Sequence, residues 1–414
     1  MKKRTIIAAA ALAFVFFACA AGEETAVLWT DRAEFALYAE YFNAAQDQYK
    51  VETRYFDSPA LRLTGTDENP DMVIGSWLKS ASTRTLFRPL DEFFRSGAIP
   101  QEGFYPRLLQ LGNIDNKQYL LPVSFNIPAL IFSRNRDDPL PSPFTIGFGE
   151  MKQLGKEFNA EQRGVFTRMG FSPAWNDQFL YIAAALFDSS FREAAPLAWD
   201  AQALERAMVF VRDWIAEANS GIQAVEDFSF KYFYDPPAKL ILSGRILFAY
   251  MESNTLFTLT DERRSDLDFR WIAENDTIPV IEGTIYYGIC KKGRAKGAAA
   301  AFTRWFFQTE TQRMLLERCR DNRILETSFG IGGGFSALHA VTEQIFPRFY
   351  PILLGRMPPK DFLSPPNILP RNWTTLKEKV LLPYLHERIR SERREDIRSL
   401  EQRIAGWDRL NQEM

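Results

Sequence analysis

Histidine and cysteine are nearly missing from this chain of 414 residues, which has two of the first and three of the second. His339 and His386 stand far apart, so no His-Cys spacing offers zinc a ligand set and no Ser-His-Asp arrangement emerges. The same scarcity weighs against a transition-metal cargo. Cys290 lies in an apolar run and Cys319 in a helical pattern, which reads as two buried thiols rather than a disulfide scaffold. The formal net charge is −2, so no basic field argues for nucleic acid. After the first twenty residues no apolar run is long enough to cross a bilayer. Internal repeats and low-complexity blocks are also lacking. What is present is an ordinary globular composition, 46% hydrophobic and 25% charged, able to build large cores in two domains or lobes. Aromatics are plentiful at 14%, enough to fill cores and still line a ligand cleft.

The first residues read MKKRTIIAAAALAFVFFACA. Lys2, Lys3 and Arg4 form a positive start, and Ile6 to Phe17 an uncharged apolar stretch too short for a permanent span. Phe16-Phe17-Ala18-Cys19 resembles a bacterial lipobox, in which a small residue precedes a cysteine that is lipidated. An ordinary secretory leader with a chance cysteine is the alternative. The expectation is a removed leader over 1–18, a tether over 19–24 lipidated at Cys19, and an exported chain facing the periplasm or the cell exterior, held to the membrane by its N-terminal lipid.

Along the rest of the chain, Ala26 to Trp29 predicts a strand, Arg32 to Tyr49 an amphipathic helix with Phe35, Ala39 and Phe42 on one face, and Val51 to Phe56 a second strand. Asp71 to Ile74 predicts a third, ended by Gly75. This is the βαβ order of a parallel sheet, where ligands bind beyond the carboxyl ends of the strands. Trp29 and Asp31 follow the first strand, and Ser76 and Trp77 the third. Pro122 and Pro128 bracket Val123 to Ile127, which predicts a crossing segment kept out of a central ladder. The proline-rich Pro139 to Pro143 reads as a boundary. Helices are expected at Gly149 to Phe158, Gln178 to Phe187, Ala201 to Ala218, Ala298 to Phe307 and Glu310 to Arg318, with polar amphipathic helices in the tail. Gly330 to Gly334 (GIGGG) lacks the lysine and the strand-helix setting of a phosphate loop, so it reads as a flexible turn. Arg388 to Arg398 mixes charge signs and reads as a solvated helix face.

Four stretches in this order resemble the solute-binding proteins of ABC transporters, in particular the group that serves sugars. They are the leader with its AVLW opening, NKQYLLPVSFNIPALIFSRN (Asn116–Asn135), AKLILSGRILFAYMESN (Ala238–Asn254) and IPVIEGTIYYGICKKGRAKGAAAAFTRWFFQTETQRML (Ile278–Leu315). Only Ser58 to Pro70 departs, being shorter than the usual helical connection there. The resemblance implies an α/β, two-lobed periplasmic-binding-protein-like fold, with a ligand cleft between the lobes and strands crossing at a hinge. Lobe one would comprise 25–135 with 285–330, and lobe two 136–284 with part of 331–414 and the C-terminal helices. It implies a monomer that binds a small solute, a sugar or oligosaccharide, without cofactor or catalysis, and delivers it to the transmembrane subunits of an ABC permease.

Sugar recognition needs aromatic faces for the C–H side of a ring and amides or carboxylates for its hydroxyls. Trp29, Asp31, Ser76 and Trp77 meet this at the strand ends. The resemblance adds Phe125 and Asn126 in the crossing segment, Glu252 and Asn254 after the FAYM strand, and Thr284 and Tyr286 at the return strand. Trp175, Asn176 and Asp177 form an aromatic-amide-acid cluster before a helix, where capping is the competing role. Trp373 in the tail stays outside this set. Two rival functions remain open: a surface protein with an adhesive or structural role on the same fold, and a glycan hydrolase using carboxylates such as Asp31, Asp177 or Glu252.

Overall fold

A computed structural model of the chain describes residues 23–135, 140–391 and 396–412. The leader, Cys19, Pro139 and Arg393 lie outside the described residues. Two main sheets are built from strands numbered here in chain order: β1 (Glu24–Thr30), β2 (Tyr49–Tyr55), β3 (Met72–Gly75), β4 (Leu121–Phe125), β5 (Pro128–Ser133), β6 (Thr145–Ile146), β7 (Ala249–Glu252), β8 (Leu267–Ile272), β9 (Ile285–Ile289) and β10 (Phe335–Ser336). The larger sheet has the order β10-β4-β9-β3-β1-β2 and the smaller β7-β5-β8-β6.

β1 pairs in parallel with both β2 and β3, and the helix Glu34–Ala44 joins β1 to β2, as the sequence pattern predicts. Side chains alternate across the larger sheet. Ala26, Leu28, Met72, Ile74 and Tyr287 enter the main core, where Phe35 meets Phe306 at 5.3 Å and Phe42 meets Phe302 at 5.4 Å. Trp29, Val73 and Tyr286 enter a second core with Phe87, Leu120 and Cys290. Both faces are therefore covered, and these strands read as continuous apolar runs without a visible period. Asp71 ties the layers together: its carboxylate accepts Val27 N at 2.8 Å, Arg294 N at 2.6 Å and Ala295 N at 2.8 Å. It thus fixes β1 and the start of the helix Lys296–Phe306 to the head of β3. Cys290 and Cys319 are buried free thiols.

The chain passes between the sheets at Asn126–Ile127, over residues 273–284, and again after β10. A short parallel pair, Ile278–Pro279 with Leu363–Ser364, links the second and third passages. The tail then packs on the smaller sheet's side, with Trp373 6.0 Å from Tyr181 and 5.8 Å from Phe191.

Two expectations need correction. Leu121–Phe125 does sit inside the larger sheet, flanked by β9 and β10. Pro122 is tolerated there because the register with β9 shifts beside it, while β10 reaches only Ser124 and Phe125. The change of sheet comes at Asn126–Ile127 rather than at residue 135, because β5 already pairs with β7 and β8. Pro128 is the first residue of that strand, a position that suits proline.

Candidate functional site

A cavity of about 240 Å³ lies where the passages between the sheets converge. Its walls come from Arg32 after β1, Ser76 and Trp77 after β3, Phe125 and Asn126 after β4, and Glu252 and Asn254 after β7. Gln178, the 281–285 segment, Gly332, Gly333, Trp373, Thr374 and Lys377 complete it. The strands of the larger sheet thus present their carboxyl ends to it, as expected for an open α/β sheet.

Trp77 has a left-handed backbone, φ 64°, a conformation a bulky L-residue adopts only when its surroundings impose it. Gly283 also has positive φ, 86°, and a methyl group there would stand 3.5 Å from the Trp77 ring. That methyl group would make only an ordinary contact, so it is the backbone conformation at Gly283 that favours glycine. Ser76 fastens the same corner: its hydroxyl donates to Gly283 O at 3.3 Å, and its amide donates to Asp31 at 3.3 Å. On the other side, Asn126 Nδ2 donates to Gly333 O at 2.9 Å and its Oδ1 accepts Ser253 Oγ at 2.7 Å. Asn126 lines the cavity, but its amide is already engaged by the chain. Gly330–Gly334 is not a loose turn. Ser124 Oγ donates to Gly332 O at 3.1 Å, and a side chain at Gly334 would meet Phe125 O at 2.6 Å.

The charged groups are mostly paired. Arg32 Nε lies 3.3 Å from Asp31, which sits beneath Gly75. Lys377 donates to Glu282 and, at 2.8 Å, to Gln178, which also donates to Glu282 at 3.3 Å. Lys377 stands at the first residue of a π-helical turn, Lys377–Leu381. The wide turn precedes Pro383, whose missing N–H and bulky ring prevent regular helical bonding to the turn before it. Glu252 has no cation within 4 Å and receives no hydrogen bond among the described residues. Burial first, then the Glu282 charge, pushes its carboxyl up to about 7, with Lys377 opposing. Three further atoms, Arg32 Nε, Thr284 Oγ1 and Trp373 Nε1, are buried with no hydrogen-bond partner among the described residues, and all three residues line the cavity.

Of the residues singled out from sequence, Ser76, Trp77, Phe125, Asn126, Glu252, Asn254 and Thr284 come together here. Asp31 supports the wall from behind. Trp29 and Tyr286 do not line it. Strand alternation turns both into the second core, where Trp29 is 1% exposed against Phe56 and Tyr286 OH donates to Leu108 O at 2.7 Å. Trp175 stacks on Phe228 at 5.9 Å and, with Asn176, borders a separate apolar groove of about 700 Å³ beside the helix Ile222–Lys231. Asn176 caps the helix Asp177–Leu186, accepting Phe179 N at 3.2 Å. Asp177 pairs with His386 at 3.3 Å, so of the three carboxylates considered for hydrolysis only Glu252 borders the cavity. Arg32, Gln178, Glu282, Trp373 and Lys377 are additions. Arg32 directly follows a flagged strand end, and Glu282 interrupts an apolar run; nothing local marks Gln178 or Lys377.

No family model and no curated protein matches this chain. Solved structures do match in fold. A sugar-binding protein from the phytopathogen Xanthomonas citri aligns with TM-score 0.62 and 12% identity, over 93% of this chain and 96% of that one. A cyclo/maltodextrin-binding protein complexed with maltotetraose aligns with TM-score 0.61 and 14% identity, over 95% and 97%. A cyclic alpha-maltosyl-1,6-maltose binding protein from Arthrobacter globiformis aligns with TM-score 0.60 and 16% identity, over 94% and 98%. The chain therefore has the two-lobed fold of periplasmic sugar-binding proteins.

Proposed function

We propose that this chain is an exported receptor that holds a small carbohydrate between its two lobes and delivers it to an ABC permease. The observation that carries the reading is the cavity between the sheets, lined by Trp77 and Trp373 and by unsatisfied buried polar groups. A buried hydroxyl and a buried indole N–H without partners are costly, about 1–3 kcal/mol each, unless a ligand supplies the bonds. The likeness in fold to proteins named for the sugars they bind supports the same reading. Closure would follow from contacts that exist only when both lobes touch the solute. The two lobes would be the two sheets with their covering helices, hinged where the chain passes between them. A monomer suffices, and no chemical step is required.

Export and anchoring belong to the same proposal. No helix among the described residues is long and apolar enough to cross a membrane, and lipidation at Cys19 would hold the receptor near its permease. Cys19→Ser should then move the protein from the membrane fraction to the soluble one; retention in the membrane would refute the anchor.

Thermal unfolding against a panel of mono- and oligosaccharides tests the receptor reading. A ligand at 100 times its Kd adds about 2.7 kcal/mol to stability. A shift confined to one sugar class is expected. Release of shortened product from any glycan would instead favour a hydrolase, and no response to any sugar would favour the adhesive role.

A further inference from the structure

We infer that the solute of this cleft is a cationic carbohydrate, an amino sugar whose ammonium group pairs with Glu252. The inference rests on the receptor reading above and narrows its substrate class.

The argument begins with the charges that border the cavity. Arg32, Glu252, Glu282 and Lys377 line it, and Asp31 lies just behind. Arg32 is matched by Asp31 at 3.3 Å. Lys377 is matched by Glu282, and both are further held by Gln178. Glu282 is deeply buried, with 3% of its side chain exposed, so that pair is shielded from solvent. Subtracting the two pairs leaves one carboxylate, Glu252, at the end of β7. Glu252 is half-buried, and an ionised carboxylate partly withdrawn from water without a partner is unfavourable; it is relieved either by protonation or by an incoming cation. A sugar acid would add a second negative charge facing two cations that already have partners.

The remaining unpaired groups specify the rest of the ligand. Trp373 Nε1 can only donate, so its partner must bring a lone pair. Thr284 Oγ1 can donate or accept. A fully protonated polyamine has donors but no acceptor and leaves the indole unsatisfied. An amino acid brings an acceptor carboxylate, but both cations that line the cavity among the described residues, Arg32 and Lys377, already face a carboxylate. A sugar ring with hydroxyls and one ammonium satisfies the indole, the Thr284 hydroxyl and Glu252 together, its hydroxyl oxygens also accepting from Arg32 Nε. The size is consistent: about 240 Å³ holds on the order of eight waters at about 30 Å³ each, which suits one or two sugar rings rather than a long chain. The indole of Trp77 is the aromatic face available to the ring's C–H side.

The test is calorimetric titration of the purified protein at pH 7 with matched pairs. Glucosamine, galactosamine and mannosamine are each compared with the N-acetyl form and the parent hexose, and glucuronate and spermidine are added as controls. At least one hexosamine should bind tenfold or more tightly than its neutral partners, with glucuronate and spermidine not binding. Glu252→Gln should bring that ratio to about one, and circular dichroism of the variant reports that it is folded. Equal binding of charged and neutral sugars overturns the inference while leaving the receptor reading intact, as does tighter binding of glucuronate. Displacement of glucosamine by spermidine overturns the assignment to a sugar. If no sugar of any charge binds, the receptor reading itself falls, and this inference with it.

Discussion

A carboxylate kept unpaired for a ligand should weaken the empty protein, and Glu252→Gln measures by how much. The folded state raises this carboxyl from 4.5 to about 7. Between those values the folded protein binds more protons than the unfolded chain, so stability falls as pH rises from about 4.5 to about 7 and stays reduced above that. The groups around Glu252 are Glu282 on the second passage, Lys377 on the tail helix, Tyr250 on its own strand and Arg32 across the cavity. After burial, Glu282 raises this carboxyl and Lys377 lowers it. The rise to about 7 corresponds to about 3.4 kcal/mol, since each tenfold change in proton affinity is worth about 1.36 kcal/mol. Relaxation and water penetration around a partly buried charge reduce this to about 2 kcal/mol. Glutamine keeps the shape and removes the charge. For a chain of 414 residues, unfolding entropy near 2.1 cal/mol/K per residue makes about 2 kcal/mol worth roughly 2 °C. Scanning calorimetry of the ligand-free wild type and Glu252→Gln, at equal ionic strength, should show the variant melting about 2 °C higher at pH 8, with the gap shrinking to about 0.5 °C at pH 5. Equal or lower stability of the variant at pH 8 would mean that the charged carboxylate has a stabilising partner, and the argument for an empty pairing position would fail.

Other positions separate wall from core. Tyr286→Phe removes the buried hydrogen bond to Leu108 O and should cost about 1–2 kcal/mol in denaturant unfolding, with sugar affinity unchanged, because the ring lies in the second core. Trp77→Ala should weaken sugar binding about tenfold or more, equivalent to roughly 1.4 kcal/mol, in calorimetric titration; unchanged affinity would remove Trp77 from the site. Gly283→Ala places a side chain at φ 86° against Trp77, so it should cost about 1–2 kcal/mol and also lower affinity, whereas a purely local turn would lose stability alone.

The sequence makes the covalent order of the fold legible, but not which face a strand residue takes. The βαβ opening, the helices Phe148–Phe158 and Ala201–Asn219, and the return strand β9 follow from apolar spacing. Trp29 is a cleft candidate by its place at a strand end and Tyr286 by the resemblance at the return strand, yet each belongs to a strand buried on both faces. In such a strand no polar partner marks the inward side, and register alone decides. Pro122 misled for a related reason. A proline is excluded from a ladder only where its missing N–H is needed, and a register shift beside it removes that need.

The electrostatics of the site are further from the sequence than its walls. Glu252 could be flagged from its place after an apolar strand, but its importance depends on Lys377 being occupied elsewhere. Lys377 lies 125 positions further along by the chain numbering, in a polar helix with no local mark of function. Its pairing with Glu282 requires the tail to return over the second passage, and the wide turn before Pro383 sets where that lysine stands. Charge matching of this kind is a property of the assembled fold. Counted as isolated charges, the same three residues already leave one negative charge over; only their geometry says that Glu252 carries it. That residual charge ties the stability prediction to the binding prediction, since one substitution should stabilise the empty protein and abolish its preference for a cationic sugar.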